Sequence, residues 1–327
     1  MSVPRFWLEG GPVARALAPL AAVYGGVVAL RRGLYQRGWL GRPVSPVPVI
    51  VVGNLFVGGT GKTPLVAWLV ARLREQGWQP GIVARGYGGR AGKGPVTVTA
   101  ESDPGQVGDE PVLLARRCGV PVRVGADRPA AVRAAWQAGC DVVVSDDGLQ
   151  HYRMRRAAEI VVLDARRRLG NRRLLPAGPL REPAGRLATV DIVAVNGDAV
   201  PEGDSVFRLR PGSPLAVDGS ERPWPDGMAH AVAGIGHPER FFASLEEAGI
   251  RVAERHVFPD HHAFSPGDFA FVDERPVVMT EKDAVKCRNL PGVDRLWYLP
   301  VELVPGAKLS AAVTGLIDRL GTREERP

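Results

Sequence analysis

Cysteine is scarce in this chain. Among 327 residues there are three, Cys118, Cys140 and Cys287, far apart in sequence and without a C-x-x-C pair. That scatter excludes a disulfide framework and a cysteine zinc site, and it fits a reducing compartment. Histidines at H-x-x-x-H or H-E-x-x-H spacing are missing too, so the helical zinc signatures are excluded. No internal repeat or low-complexity tract is present, and basic segments interleaved with aromatics, the mark of many nucleic-acid binders, are absent. The N-terminal apolar run, Ala16 to Leu30 with Tyr24 inside it, is also too short to span a bilayer, which takes about 20 residues. Arg31, Arg32 and Arg37 follow it directly, where a signal peptide would show small residues and a polar start. The pattern predicts an interfacial helix with arginines at the headgroups, or else a terminal helix docked on the core.

What is present is a globular composition, 45% hydrophobic and 24% charged, in a chain long enough for two domains. The formal charge of +7 comes from an excess of arginine. It suits an anionic partner such as nucleic acid, anionic lipid or a phosphorylated substrate, and equally a solvated basic surface.

The most informative stretch begins at the apolar, β-branched run Val47 to Gly53. A glycine-rich turn follows, and Lys62-Thr63 open an amphipathic helix. Strand, loop and helix in that order form a phosphate-binding loop. Gly58, Gly59 and Gly61 would turn backbone N–H groups toward phosphate oxygens at a helix N-terminus. Lys62 would reach the β- and γ-phosphates, and the Thr63 hydroxyl would ligate Mg²⁺. Phe56 stands where the G-x-x-x-x-G-K-[ST] pattern has its first glycine.

Beyond the loop, apolar periodicity predicts a helix from Thr63 to Gly77 and a strand over 81–84 running into Arg85-Gly-Tyr87. Asp109 and Glu110 stand just before a helical turn at Val112 to Arg117, acids that helix-dipole effects alone would also place there. A strand at 121–125, a helix at 128–138 and a strand at 140–146 come next, the last ending in Asp146-Asp147. A carboxylate at the tip of a buried parallel strand is what phosphate-loop enzymes use to hold Mg²⁺, and two adjacent aspartates repel unless a cation lies between them. Strands at 159–164 and 191–196 flank a segment, Arg166 to Pro183, with six arginines, a candidate anion clamp or a solvated basic loop. Alternating strands and helices predict a parallel, doubly wound sheet.

The pattern loosens from Gly197 to Gly227, where two short runs, Ser205 to Leu209 and Leu215 to Asp218, could pair. A second α/β pattern follows: strands at 230–233, 251–258, 277–280 and 295–299, with helices at 238–248, 266–272 and 308–320. The expected division is an N-terminal membrane-associated helix at 1–40, a phosphate-loop kinase domain at 41–204, a linker at 205–227 and a smaller α/β domain at 228–327. His261 and His262 follow Asp260 at a strand end; such a pair can assist catalysis or simply lie on the surface. Thr280-Glu-Lys-Asp283 has its lysine shifted by one position from the guanine-reading element, so GTP is not indicated.

With these pieces in place, the chain resembles the tetraacyldisaccharide 4′-kinase family of lipid A biosynthesis. The motifs are Gly53 to Pro64, Arg85-Gly-Tyr-Gly88, Gly108-Asp-Glu-Pro111, Asp146-Asp-Gly-Leu-Gln150, Leu175 to Pro183, Asp260-His261 and Thr280 to Asp283. The family also tolerates a residue other than glycine at Phe56. The resemblance implies a kinase at the cytoplasmic face of a Gram-negative inner membrane, using ATP and Mg²⁺. It would phosphorylate the 4′-hydroxyl of a tetraacylated glucosamine disaccharide 1-phosphate to give lipid IVA, with no nucleic-acid or protein partner. By motif position, Lys62, Asp109, Asp146, Asp147 and His261 would be catalytic, Asp109 as base with His261 as its partner. Phe56, Val57, Gly58, Gly59, Thr60, Gly61, Lys62, Thr63 and Gln150 would hold the nucleotide, with Thr63 and Asp146 on the metal. Arg85, Tyr87, Glu110, Arg128, Arg181 and Glu182 would face the substrate. Arg172 replaces an expected glycine after Asn171. Two other readings compete: a phosphate-loop switch or metal-insertion ATPase, and a non-enzymatic nucleic-acid-binding protein.

Overall fold

The structure, a computed structural model, describes residues 3–86, 89, 94–197, 205–225, 227–270 and 273–321. Its strands in chain order are β1 (Val49–Gly53), β2 (Pro80–Ala84), β3 (Val96–Val98), β4 (Val122–Val124), β5 (Val142–Asp146), β6 (Ala158–Asp164) and β7 (Ile192–Asn196). They continue as β8 (Ser205–Pro211), β9 (Leu215–Ala216), β10 (Met228–Ala233), β11 (Arg251–Val257), β12 (Val277–Thr280), β13 (Leu296–Leu299) and β14 (Val301–Pro305). The first helices are α1 (Arg5–Glu9), α2 (Pro12–Ala16), α3 (Ala18–Gln36), α4 (Lys62–Glu75) and α5 (Pro104–Val107). After them come α6 (Asp109–Cys118), α7 (Arg128–Gln137), α8 (Pro238–Glu247), α9 (Glu281–Cys287) and α10 (Ala307–Asp318).

The fold is α/β, with a large, mostly parallel sheet flanked by helices. Nine strands lie in the order β14-β8-β7-β6-β1-β5-β2-β4-β3, antiparallel only where β14 meets β8 and β3 meets β4. All five residues of β1 are buried, because β5 and β6 pair on its two sides and helices cover both faces. Such strands carry unbroken Val/Ile runs instead of alternation, which is why 47–53, 140–146 and 159–164 were legible. Helix α4 packs Leu65, Val66, Leu69, Val70 and Leu73 into the core on one stripe. Five further strands form a second sheet in the order β11-β10-β12-β13-β9.

Several expectations need correction. Ser205 to Leu209 and Leu215 to Asp218 do not pair with each other: β8 joins the larger sheet beside β7, and β9 joins the smaller beside β13. The chain's end also returns to the larger sheet, β14 lying against β8 and α10 burying Leu309, Val313, Leu316 and Ile317 in its core. The sheets are therefore not separated at 228. No strand was expected at β14, whose Pro305 and exposed Glu302 break the apolar pattern. Only one 3₁₀ turn, Pro266–Phe269, stands where the 266–272 helix was expected, and Phe271 and Val272 lie outside the described residues.

At the N-terminus, helix continuity breaks at Leu17 before Pro19, and α3 runs on from there. No helix among the described residues is long and apolar enough to cross a membrane. Instead α3 docks by one face on the arginine-rich segment: Tyr24 Oη donates to the Arg181 carbonyl at 3.1 Å and Arg32 to Thr189 Oγ1 at 3.2 Å. Below it, Trp7 Nε1 donates to Pro176 O at 3.0 Å and Asn171 Nδ2 to Phe6 O at 2.9 Å.

Candidate active site

Ligands of open α/β sheets bind beyond the carboxyl ends of the central strands. There β1 passes into the glycine loop and α4 begins at Lys62. The loop is shaped by two asparagines that sequence reading passed over. Asn54, fully buried, donates from Nδ2 to Gly58 O at 2.8 Å and toward Thr60 Oγ1 at 3.4 Å. Asn196, at the end of β7, donates to Thr60 O at 3.2 Å. Gly61 has φ +94°, and a Cβ there would lie 2.7 Å from Asn196 Nδ2, so glycine is required on two counts. Gly58 and Gly59 form the exposed crest. Phe56 and Val57 brace the loop from behind: the Phe56 side chain is buried beneath the Arg167 guanidinium, 5.1 Å from its ring, and the Val57 N–H donates to Pro179 O at 3.1 Å. That commits the Val57 amide to protein. Arg167 also donates to Gly59 O.

Parallel register sets Asp146 beside Val52, so the tip of β5 lies next to the loop. Asp147 follows at φ +50°, a left-handed conformation that an aspartate tolerates better than most residues. It is held there by Lys62 Nζ at 3.4 Å and Arg181 at 3.1 Å. Burial pushes the Asp147 carboxyl up, but these two cations outweigh it and hold it below the usual range. Asp146 differs. Burial first, then the Glu110 and Asp147 charges, raise it to about 7, against which Lys62 and Arg128 act only in part. Its Oδ1 is buried without a hydrogen-bond partner. A carboxylate oxygen left unbonded in the interior, with a second carboxylate next to it, fits an oxygen-preferring cation such as Mg²⁺.

Asp146 carries a stability consequence. Burial and its acidic neighbours make the folded protein hold this proton to a higher pH than an unfolded chain does, so stability falls as pH rises above the ordinary carboxyl value of 3.8. Asp146→Asn is therefore expected to melt above the parent at pH 8 without metal, and close to it at pH 4, by scanning calorimetry. Its turnover should collapse. A variant melting below the parent at pH 8 would overturn this account.

Arg128 is buried at the start of α7, donating to the Asp146 carbonyl at 3.3 Å. Burial lowers it to about 10, which leaves it a cation at neutral pH, and its second guanidinium nitrogen has no partner. Arg85 is exposed after β2 and close enough to Arg128 for their charges to interact. Tyr87 lies outside the described residues. Glu182 is fully buried, its oxygens accepting from Gln150 at 2.9 Å and Arg186 at 3.1 Å. Half-buried Gln150 and buried Glu182 thus brace the arginine-rich segment.

The second sheet enters through β11, which leads to Asp260-His261. Here His261 Nδ1 lies 2.9 Å from Asp109 Oδ2, although 152 residues separate them. Asp109 and Glu110 are the first two residues of α6, inside the helix and not before it. Lys282 Nζ stands 3.3 Å from His261 Nε2, 3.6 Å from Asp260 and 3.7 Å from Glu110. An ammonium can only donate and a carboxylate only accept, so the tautomer that suits both partners has Nδ1–H toward Asp109 and the Nε2 lone pair toward Lys282. Burial pushes the Asp109 carboxyl up, but the His261 hydrogen bond, Lys286 and Lys282 hold it below its ordinary value, ionised at neutral pH. Lys282 belongs to Thr280-Glu-Lys-Asp283. Thr280 caps α9, and Asp283 accepts from Gly234 N at 2.9 Å, which leaves Lys282 at the cleft.

The arrangement can hold a polyphosphate at α4, a divalent cation at Asp146 and an ionised carboxylate facing an acceptor. Against known proteins, the chain matches the LpxK family model, tetraacyldisaccharide-1-P 4′-kinase, over residues 13–318. It is 81% identical over 326 residues to the tetraacyldisaccharide 4′-kinase of Halorhodospira halophila, covering 100% of both chains. To that of Alkalilimnicola ehrlichii it is 59% identical over 309 residues, covering 93% of each. The fold matches a crystal structure of LpxK from Aquifex aeolicus in complex with ATP, with a TM-score of 0.81 at 29% identity over 94% of this chain and 99% of that one. With a family match across nearly its full length, the chain belongs to the tetraacyldisaccharide 4′-kinase family.

Proposed function

We propose that this kinase transfers the γ-phosphoryl group of ATP to the 4′-hydroxyl of a tetraacylated glucosamine disaccharide 1-phosphate, giving lipid IVA, with Asp109 as the base. The observation that carries the acceptor half is the Asp109–His261 contact of 2.9 Å at the junction of the two sheets. The acceptor hydroxyl gives its proton to the Asp109 carboxylate while its oxygen bonds to phosphorus and ADP departs. A weakly basic aspartate is adequate, because in a loose transition state the hydroxyl proton leaves late. His261 fixes the carboxylate's orientation, and Lys282 fixes His261.

On the nucleotide side, Lys62 and the backbone of Gly58, Gly59, Thr60 and Gly61 engage phosphate oxygens. Asp147 aims the Lys62 ammonium across 3.4 Å. Thr63 and Asp146 would hold Mg²⁺, which when bound offsets charge on the transferring group. Arg85, Arg128 and Arg181 supply cations for nucleotide and sugar phosphate. The test is labelled ATP with a disaccharide lipid acceptor: a phosphorylated lipid is expected, and ATP hydrolysis indifferent to acceptor would sink the reading.

We further propose that α3 lies in the plane of the inner membrane's cytoplasmic surface. Leu20, Val23, Val27 and Leu30 recur at helical spacing and are 59%, 68%, 60% and 65% exposed, while the opposite face docks on Arg181 and Thr189. An apolar stripe flanked by Arg31 and Arg32 favours an anionic lipid surface. The double variant Val23→Asp, Val27→Asp should reduce co-sedimentation with anionic phospholipid vesicles by about tenfold or more, at about 1.5 kcal/mol or more for each valine no longer buried. Unchanged sedimentation would refute it.

A further inference from the structure

We propose that His230, Glu254 and His256 form a second metal site, on the smaller sheet, which takes a zinc-like transition-metal ion. His230 comes from β10; Glu254 and His256 come from its parallel neighbour β11, two residues apart and so on one face. The register sets His230 against Glu254 and Val232 against His256, with an irregularity between Ala229 and His230. His230 Nδ1 lies 3.2 Å from His256 Nε2, and Glu254 Oε2 lies 3.9 Å and 3.7 Å from these nitrogens. Two ligand atoms on a tetrahedral ion with bonds near 2.05 Å stand about 3.3–3.4 Å apart. The nitrogens already meet that spacing. Glu254 is the exposed member, and a small rotation of its side chain closes the remaining gap.

A second observation supports the assignment. Asp273 Oδ1 lies 3.3 Å from His230 Nε2, on the side of the ring away from His256. A carboxylate there accepts a hydrogen bond from Nε2–H, which fixes the tautomer that directs the Nδ1 lone pair at the site, the carboxylate–histidine–metal relay common in metalloproteins. Two imidazoles and one carboxylate prefer zinc, cobalt, nickel or copper over magnesium, so this site and an oxygen-lined Mg²⁺ site would not compete. The ion would tie β10 to β11 just before β11 delivers His261 to Asp109.

The experiment uses the full chain without an affinity tag, stripped with chelator and titrated with Zn²⁺ or Co²⁺. One equivalent should bind saturably, raise Tm by several degrees and, for Co²⁺, give the visible bands of a tetrahedral ion. His256→Gln and Glu254→Gln should weaken binding at least tenfold, and Asp273→Asn by about tenfold. Glu254→Gln changes an exposed side chain, so it tests the site even if a histidine variant fails to fold. Lys62→Ala should bind the ion as the parent does. Absence of saturable binding, equal affinity in the Glu254 and His256 variants, or loss of binding in Lys62→Ala would each overturn the proposal.

Discussion

Lys62→Ala is expected to lower kcat by roughly 10²- to 10⁴-fold while the protein stays folded. Phosphoryl transfer is catalysed mainly by positioning and by charges set in place beforehand, and removing one such group typically costs factors of this size. Lys62 is the first residue of α4 and its side chain is only 15% exposed, so its ammonium is poorly shielded by solvent. Its loss releases one hold on Asp147, but Arg181 still pairs with that carboxylate at 3.1 Å, and the apolar stripe of α4 is untouched. Melting should therefore stay within a few degrees of the parent. Initial rates with labelled ATP and lipid acceptor, alongside a thermal melt, test both halves. Turnover near the parent's would refute the phosphate-loop assignment.

Asp109→Ala is expected to reduce kcat by about 10²-fold or more while KM for ATP changes little, because a base acts on the acceptor and not on the nucleotide. His261→Ala should follow the same pattern with a smaller loss, since it orients the carboxylate. Asp109→Asn keeps the shape and a hydrogen bond to His261 but cannot take a proton; it should be nearly as inactive as the alanine variant. A steady-state series in ATP and in acceptor separates the cases. If KM for ATP rose and kcat held, Asp109 would be a nucleotide ligand.

The glycine loop, the β5 tip at Asp146-Asp147 and the parallel core were legible because each is a local signal: a β-branched run, a glycine turn and a helical stripe within some thirty residues. Sequence reading of the loop itself was less complete. Phe56 and Val57 look like loop members by position, yet the fold uses them as a brace against Leu180 and Pro179. Asn54 and Asn196 shape the loop; Asn54 lies within the Gly53 to Pro64 motif without an assigned role, and Asn196 lies in no motif. Gln150 and Glu182 read as ligand residues from their motifs, and the fold also joins them to each other, half-buried Gln150 donating to buried Glu182.

By itself, then, the sequence determined that a phosphate loop opens a parallel α/β sheet with a carboxylate at a neighbouring strand tip, and its motifs placed the chain in a kinase family. Only the tertiary structure decided what long-range pairing controls. It returned β14 and α10 to the larger sheet, docked α3 on the arginine-rich segment, and brought His230 beside His256 without any spacing that advertises a metal. It also set His261 on Asp109 across 152 residues. The physical reason is that periodicity reports which face of an element is buried, whereas its neighbour is chosen by strand register and packing between elements distant in the chain.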